Sequence, residues 1–218
     1  MSIRWRMGKQ KPTEKKLDRY DWIKEGLVVL AESGMEAIRV EPLAKRINVT
    51  KGSFYWHFKD RNDLLNAILA EWVQLDTNSI IERVNQIDAP PKTKLLKLFE
   101  LAVTDNELMP GLADGRIERA IRAWATNDQK VADLIAQVDQ KRLDYTKALF
   151  LEIGFAEAEA LARARLAYYS LIGELTIGVQ VNEGDRLAEI RRQHAILTAS
   201  IKAEVTVENA PTLDKNTI

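Results

Sequence analysis

The chain has 218 residues, with 32 Lys and Arg against 32 Asp and Glu, two His and no Cys, so disulfides, thiolate metal sites and a cysteine nucleophile are excluded. That length buries a core without staples, as one large domain or two modest ones. The charge is unevenly placed: residues 1–61 carry 14 basic and 8 acidic side chains and the remainder 18 and 24, which points to a polyanion-binding front end on a body with another task.

The first residues, 1–16, form a basic arm with Arg4, Trp5, Arg6, Lys9, Lys11, Lys15 and Lys16. Such an arm either lies along a phosphate backbone or in a minor groove, or is simply a solvated start. Residues 17–33 place Leu17, Tyr20, Ile23, Leu27 and Leu30 at steps of three and four, which predicts an amphipathic helix ended by Gly34. A second, two-turn helix follows, with Pro42 in its first turn and Leu43, Ala44 and Ile47 on its buried side. Asn48 suits the left-handed conformation of a tight turn, and Thr50 suits the N-cap of a third short helix, its hydroxyl available to an orphan amide.

Residues 60–88 read as one longer helix, stopped at Ala89-Pro90-Pro91. Residues 93–104 are apolar nearly all round, as in a helix buried on several sides, and 108–115 is a loop by its Pro and Gly content. Further helices are expected at about 115–126, 128–153, 156–181 and 186–204, with an aperiodic tail from Val205. No alternating pattern suggests a strand, so the fold class is all-α. It divides into a helix-turn-helix domain at 17–65 whose connecting helix runs to about 88, a helical domain at 90–204, and a flexible tail at 205–218. No window is long and apolar enough to span a membrane, and the start lacks a secretory apolar run, so a cytoplasmic protein without membrane partners is expected.

Residues 54–58, Phe-Tyr-Trp-His-Phe, set consecutive rings on the third helix. Successive helical residues point about 100° apart, so one core cannot take them all. Phe54 and Phe58, four apart, share the buried face. Tyr55 and Trp56 turn outward, beside a first turn made by Lys51, Gly52 and Ser53. A helix-turn-helix reader presents such N-terminal residues to base edges while neighbours grip phosphates. On that reading Thr50, Lys51, Gly52, Ser53, Tyr55, Trp56, His57, Lys59 and Arg61 form the DNA-binding set. Lys51 is a donor to guanine or phosphate, and Tyr55 offers a hydroxyl and an apolar edge; His57, Lys59 and Arg61 reach the flanking backbone. The alternative is a partly buried aromatic cluster with no ligand.

The segment RVEPLAKRINVTKGSFYWHFKDRNDLL resembles the DNA-binding segment of the tetracycline-repressor (TetR) family of bacterial one-component regulators. Val40, Leu43, Ala44, Val49, Thr50, Gly52, Tyr55, His57, Phe58, Arg61 and Leu64 match the family pattern in register. The resemblance implies that Tyr55 and Arg61 bind phosphates, that Lys51, Gly52, Tyr55 and Trp56 lie along the groove, and that the protein is a homodimer. Three residues depart from the pattern: Arg39 stands where many members have a Thr cap, Asn48 replaces the turn glycine, and Glu41 occupies a position that in some members reads bases.

In the body, Leu187, Ile190, His194, Leu197 and Ile201 form a coiled-coil-like stripe on the last helix, and the helix before it carries small residues such as Ala162 beside Tyr169. The family dimerises through a four-helix bundle of two such helices from each chain, so these residues are the expected dimer interface. Family members also hold apolar effectors between body helices. If the body holds a pocket, Phe99, Trp124, Tyr145, Tyr168 and Tyr169 are the expected walls, with Arg122 or Glu174 as the polar contact; the competing reading of the apolar residues, which the sequence favours, is ordinary core.

No nucleophile, base or metal cluster is assembled, and neither His57 nor His194 has the Glu-x-x-His spacing of a helical di-metal oxidase. The expectation is therefore a non-enzymatic transcriptional regulator without cofactor. It is read as a repressor that binds operator DNA as a homodimer until a small apolar effector releases it. The competing expectation is a ligand-independent architectural or adaptor DNA-binding protein on the same fold.

Overall fold

The computed structural model describes residues 17–104, 115–177 and 182–200. The basic arm, the loop at 108–114, Ile201 and the tail lie outside them. Among the described residues there are ten α-helices, one 3-10 turn, one π turn and no strand.

Helix α1 (Arg19–Ser33) starts at a capping box: the Asp18 carboxylate accepts from the amides of Tyr20 at 2.8 Å and Asp21 at 3.1 Å, and the Asp21 carboxylate accepts from the Asp18 amide at 2.8 Å. A 3-10 turn (Met35–Ala37) leads into α2 (Val40–Arg46) and then α3 (Lys51–Phe54). Trp22, Leu27, Leu30, Ile38, Leu43, Phe54, Leu64 and Ile68 are fully buried between these helices and α4 (Arg61–Val73). The α1–α4 crossing is tight at Gly26, where an added Cβ would lie 2.4 Å from Ile68 Cδ1.

Residues 60–88 are not one regular α-helix as expected. Helix α4 runs through a π turn (Gln74–Asn78) into α5 (Ser79–Asn85). The body follows as α6 (Pro91–Val103), α7 (Arg116–Ala125), α8 (Gln129–Ile153), α9 (Glu157–Ile177) and α10 (Glu183–Leu197). Gly154, at φ 108°, makes the reversal between α8 and α9. Helix α10 ends at Leu197 rather than near 204. Thr198 turns its hydroxyl back to the His194 carbonyl at 2.8 Å, and Arg163 takes the carbonyls of Leu197 and Ala199.

The core does not break where the sequence places a boundary. One cluster runs from the first three helices through Leu69, Trp72 and Leu75 to Ile117, Ile121 and Trp124 on α7 and to Val131, Ile135 and Val138 on α8. A second, smaller cluster joins Leu95, Leu149, Phe150, Ala160 and Ala164.

Candidate DNA-reading face and internal cavity

Asn48 takes φ 56° and is the one non-glycine residue with positive φ among the described residues, so the chain reverses there as the sequence implies. Thr50 occupies the N-cap position with extended backbone, but its hydroxyl makes no capping bond. Helix α3 is one turn long, and a further turn carries Tyr55, Trp56 and His57 to Phe58, whose amide closes on the Phe54 carbonyl at 3.0 Å. The rings divide as their helical angles require. Phe54 and Phe58 are buried and stack at 5.3 Å, with Trp22 edge-on to Phe54 at 5.2 Å, whereas Tyr55 is 55% and Trp56 88% exposed. Lys51, Gly52 and Lys59 are exposed with them, and Ser53 and His57 are half-buried.

Glu41 and Lys51 are joined by an ion pair from α2 to α3. The Lys51 ammonium holds the Glu41 carboxyl below its ordinary range, and Glu41 raises Lys51 in return. The carboxylate that departs from the family pattern thus shares the surface assigned to base reading.

Arg61 corrects an expectation. Its guanidinium turns inward, Nε donating to the Ile38 carbonyl at 2.5 Å and a terminal nitrogen to that of Met35 at 2.8 Å. These bonds clamp the 3-10 turn to α4, so Arg61 is a strut of the reader rather than an open phosphate ligand. Arg61→Ala is expected to lower stability by about 1.5–3 kcal/mol, the range for hydrogen bonds to a charged group, while leaving the salt dependence of duplex binding unchanged. A slope of log K against log salt flattened by about 0.9 for each lost contact would restore the phosphate role.

The body holds a cavity with an open mouth; the unfilled space in and around it, open solvent included, is about 820 Å³. Its walls are mainly apolar: Ile80 and Ile81 from α5, Leu98, Phe99 and Val103 from α6, Leu171 and Leu175 from α9, and Ile190 from α10. One end is polar, where Asp76 and Thr77 of the π turn meet Arg142 of α8 and Tyr168 of α9. A π turn inserts an extra residue into a helix and turns side chains that an α-helix would aim elsewhere.

That polar end belongs to a network of charges. Arg142 donates to Asp76 Oδ2 at 2.9 Å, to Thr77 Oγ1 at 2.9 Å and to Glu118 Oε2 at 3.4 Å, with its guanidinium 5.4 Å from the Trp72 ring centroid. Arg122 holds Asp139 through two bonds at 2.7 and 3.1 Å and also binds Glu118, and the Tyr168 hydroxyl donates to Asp139 at 2.6 Å. Burial opposes the charge on Arg142, but Asp76 and Glu118 more than offset it and hold its pKa above the ordinary value. Burial pushes the Asp76 carboxyl up to about 6, with Arg142 pulling the other way and Glu118 adding to the rise. Asp139 goes down despite its burial, because Arg122 and Tyr168 stabilise its ionised form.

Of the expected pocket residues, Phe99, Tyr145 and Tyr168 line the cavity. Trp124 does not: it is buried in the core between reader and body, its indole N–H donating to Asp128 at 3.3 Å. Arg122 is turned to its two carboxylates, Glu174 pairs with Arg186, and Tyr169 is 59% exposed on the outer side of α9. Arg142 and Asp76 were missed. Each interrupts an apolar stripe at helical spacing, Trp72–Asp76–Ile80 and Val138–Arg142–Thr146, and that interruption was the available signal.

The expected dimer stripe on α10 also needs correction. Ile190 faces the cavity, and His194 is buried within its own chain, its Nε2–H donating to the Lys92 carbonyl at 2.9 Å and its ring edge-on to Phe99. Burial lowers the His194 pKa, so it stands there neutral. Leu187 and Leu197 are half-buried, the latter against the second core cluster. The outward apolar face lies elsewhere. On α9 it runs through Ala162, Leu166, Tyr169 and Ile177, of which Leu166 is 63% and Ile177 76% exposed, and α10 adds Ile196 at 73%.

A short reader with two outward rings, set on a helical body with an internal cavity, is the arrangement of a helix-turn-helix DNA-binding domain joined to a helical body. Residues 23–68 match the family described as bacterial regulatory proteins, tetR family. The chain is 40% identical over 53 residues to the class G tetracycline repressor protein of Vibrio anguillarum, a match covering 24% of this chain and 25% of that one. It therefore spans about a quarter of the length of the curated relatives it matches. The fold extends further: the Bacillus subtilis regulator FadR in complex with stearoyl-CoA aligns at TM-score 0.60 and 18% identity over 85% of this chain and 100% of its own. A Saccharomonospora viridis protein in complex with choline aligns at TM-score 0.60 and 17% identity, over 80% of this chain and 93% of its own. Residues 23–68 thus carry a DNA-binding segment similar to that of the TetR family, and the fold of the whole resembles the solved regulators. Among the described residues no helix is long and apolar enough to cross a membrane.

Proposed function

We propose that the protein represses transcription by binding operator DNA as a homodimer, and that a small, largely apolar effector held in the body cavity releases it. The observation that carries this reading is the continuous helical run from Arg61 to Asn85. Leu64 and Ile68 anchor its first turns in the reader core, while Asp76 and Ile80 line the cavity. Those ends are roughly 24 Å apart at about 1.5 Å per residue, so a change at the cavity is delivered mechanically to the reader. Lys51, Tyr55 and Trp56 supply the outward face for the groove, and the apolar strip on α9 with Ile196 supplies a face for a second copy, whose reader must sit about 34–36 Å away or at a related spacing. The likeness to tetracycline repressors over the reader supports the repressor role. The fold leaves the ligand class open, since similar structures hold molecules as unlike as stearoyl-CoA and choline.

The test begins with selection of bound sequences from a random duplex pool, followed by anisotropy titrations of the selected duplex. An effector is expected to weaken duplex binding about 5- to 150-fold, and the duplex must weaken effector binding by the same factor, because coupling of this kind is reciprocal. Recovery of no preferred sequence would remove the operator reading. Cavity ligands that bind equally well with and without duplex would leave an adaptor protein on the same fold.

A further inference from the structure

The charge at the polar end of the cavity restricts what the cavity can hold. Arg142 is the cation facing it, and Asp76 and Glu118 already bind that guanidinium. The adjoining cation, Arg122, is occupied by Asp139 and Glu118. Among the described residues two guanidiniums thus meet three carboxyl groups, an excess of one negative charge when all are ionised. A ligand carboxylate entering here would have to displace an internal carboxylate from Arg142 and leave it unpaired in a poorly solvated site.

Asp76 is oriented the other way. It lines the cavity with 21% of its side-chain surface accessible, and Arg142 occupies Oδ2. Along the rest of the cavity the walls are aliphatic and aromatic apart from Thr146 and Gln193.

Resting on the reading of this cavity as an effector site, the geometry points to an apolar amphiphile with a cationic amine head as the ligand class, the ammonium held by Asp76 in the π turn and the chain laid along α6 and α9, with carboxylates of equal chain length discriminated against. Such a ligand completes the charge balance instead of disturbing it. It also bonds directly to the helix that leads to the reader.

Asp76 titrates near 6 in the free site, where it faces Arg142, Glu118 and the Trp72 indole. An ammonium needs the ionised carboxylate. Its affinity is therefore full above that pH and falls toward tenfold per unit below it, while the amine itself stays protonated throughout.

The experiment is calorimetric titration of the full chain with decylammonium, decanoate and decanol at pH 7.5 and pH 5.0. Decylammonium is expected to bind at least about tenfold more tightly than decanoate at pH 7.5 and to weaken about tenfold at pH 5.0, with decanol unchanged. Asp76→Asn is expected to abolish the preference. Equal or tighter binding of decanoate, binding of none of the three probes, or an ammonium affinity indifferent to pH overturns the assignment, and the pH arm holds even if the variant fails to fold. Preferential ammonium binding that leaves duplex affinity unaltered would uphold the site and reject the regulatory reading of it.

Discussion

Replacing Arg142 with methionine is expected to destabilise the fold by about 3–5 kcal/mol at neutral pH, the range for stripping one partner from a buried ion pair. Glu118 is 3% exposed and, among the described residues, loses one of its two cations, while Asp76 loses the guanidinium bonded to Oδ2. The loss carries a pH signature. With Arg142 present, Asp76 already titrates near 6 instead of its ordinary 3.8; without it the folded-state value goes higher. A carboxyl raised in the folded state favours folding below its unfolded pKa and loses that contribution as pH rises through the folded value. The variant should therefore lie furthest below wild type at pH 7.5 and recover toward it near pH 5.

Urea denaturation at both pH values checks this. Adding Asp76→Asn and Glu118→Gln should return much of the stability at neutral pH, because removing all the partners removes the unpaired charge. A single variant within about 1 kcal/mol of wild type, or a deficit that does not change with pH, would show that Arg142 is solvated and the network carries little energy.

Phe54→Ala is expected to cost about 3–5 kcal/mol and with it most DNA binding at 37 °C. The ring is fully buried against Trp22, Phe58 and Tyr55, at centroid distances of 5.2, 5.3 and 5.2 Å. Its removal leaves a cavity at the centre of a domain whose reading helix has a single turn of its own. An isolated turn has almost no intrinsic stability, so packing alone keeps α3 in place.

Trp56→Ala, two residues away, makes the contrast. That ring is 88% exposed, so stability should change by less than about 0.5 kcal/mol, while duplex affinity falls if the ring meets DNA. Thermal melts of both variants decide the matter. Equal losses would mean that the run of rings is one shared cluster and has no inner and outer halves.

Much of the reader was legible because its determinants are local. A left-handed Asn48, and rings four apart with others between them, act within one or two turns of chain, and each does what its neighbours dictate. The helices of the body were legible to within a residue or two wherever a Pro, a Gly or a cap marks the end, as at Pro91, Asp128 and Gly154. The end of α10 was not, since Arg163 on another helix takes up its last carbonyls.

Sequence by itself determined the all-helical class, the helix-turn-helix and the division of its rings, because 3.6-residue periodicity and turn chemistry are properties of short segments. Periodicity says that a face must be covered and is silent on what covers it. Hence His194, read as part of a seam between chains, is covered by helix α6 of its own chain and Ile190 lines the cavity, while Leu166 and Ile196 are left facing outward. Only tertiary structure could bring Asp76 to Arg142, 66 positions away, or turn Arg61 back to carbonyls 23 and 26 positions before it. A long charged side chain reaches whatever the packed helices place beside it. Its partner, and with it the chemistry of the cavity, is decided by the packing.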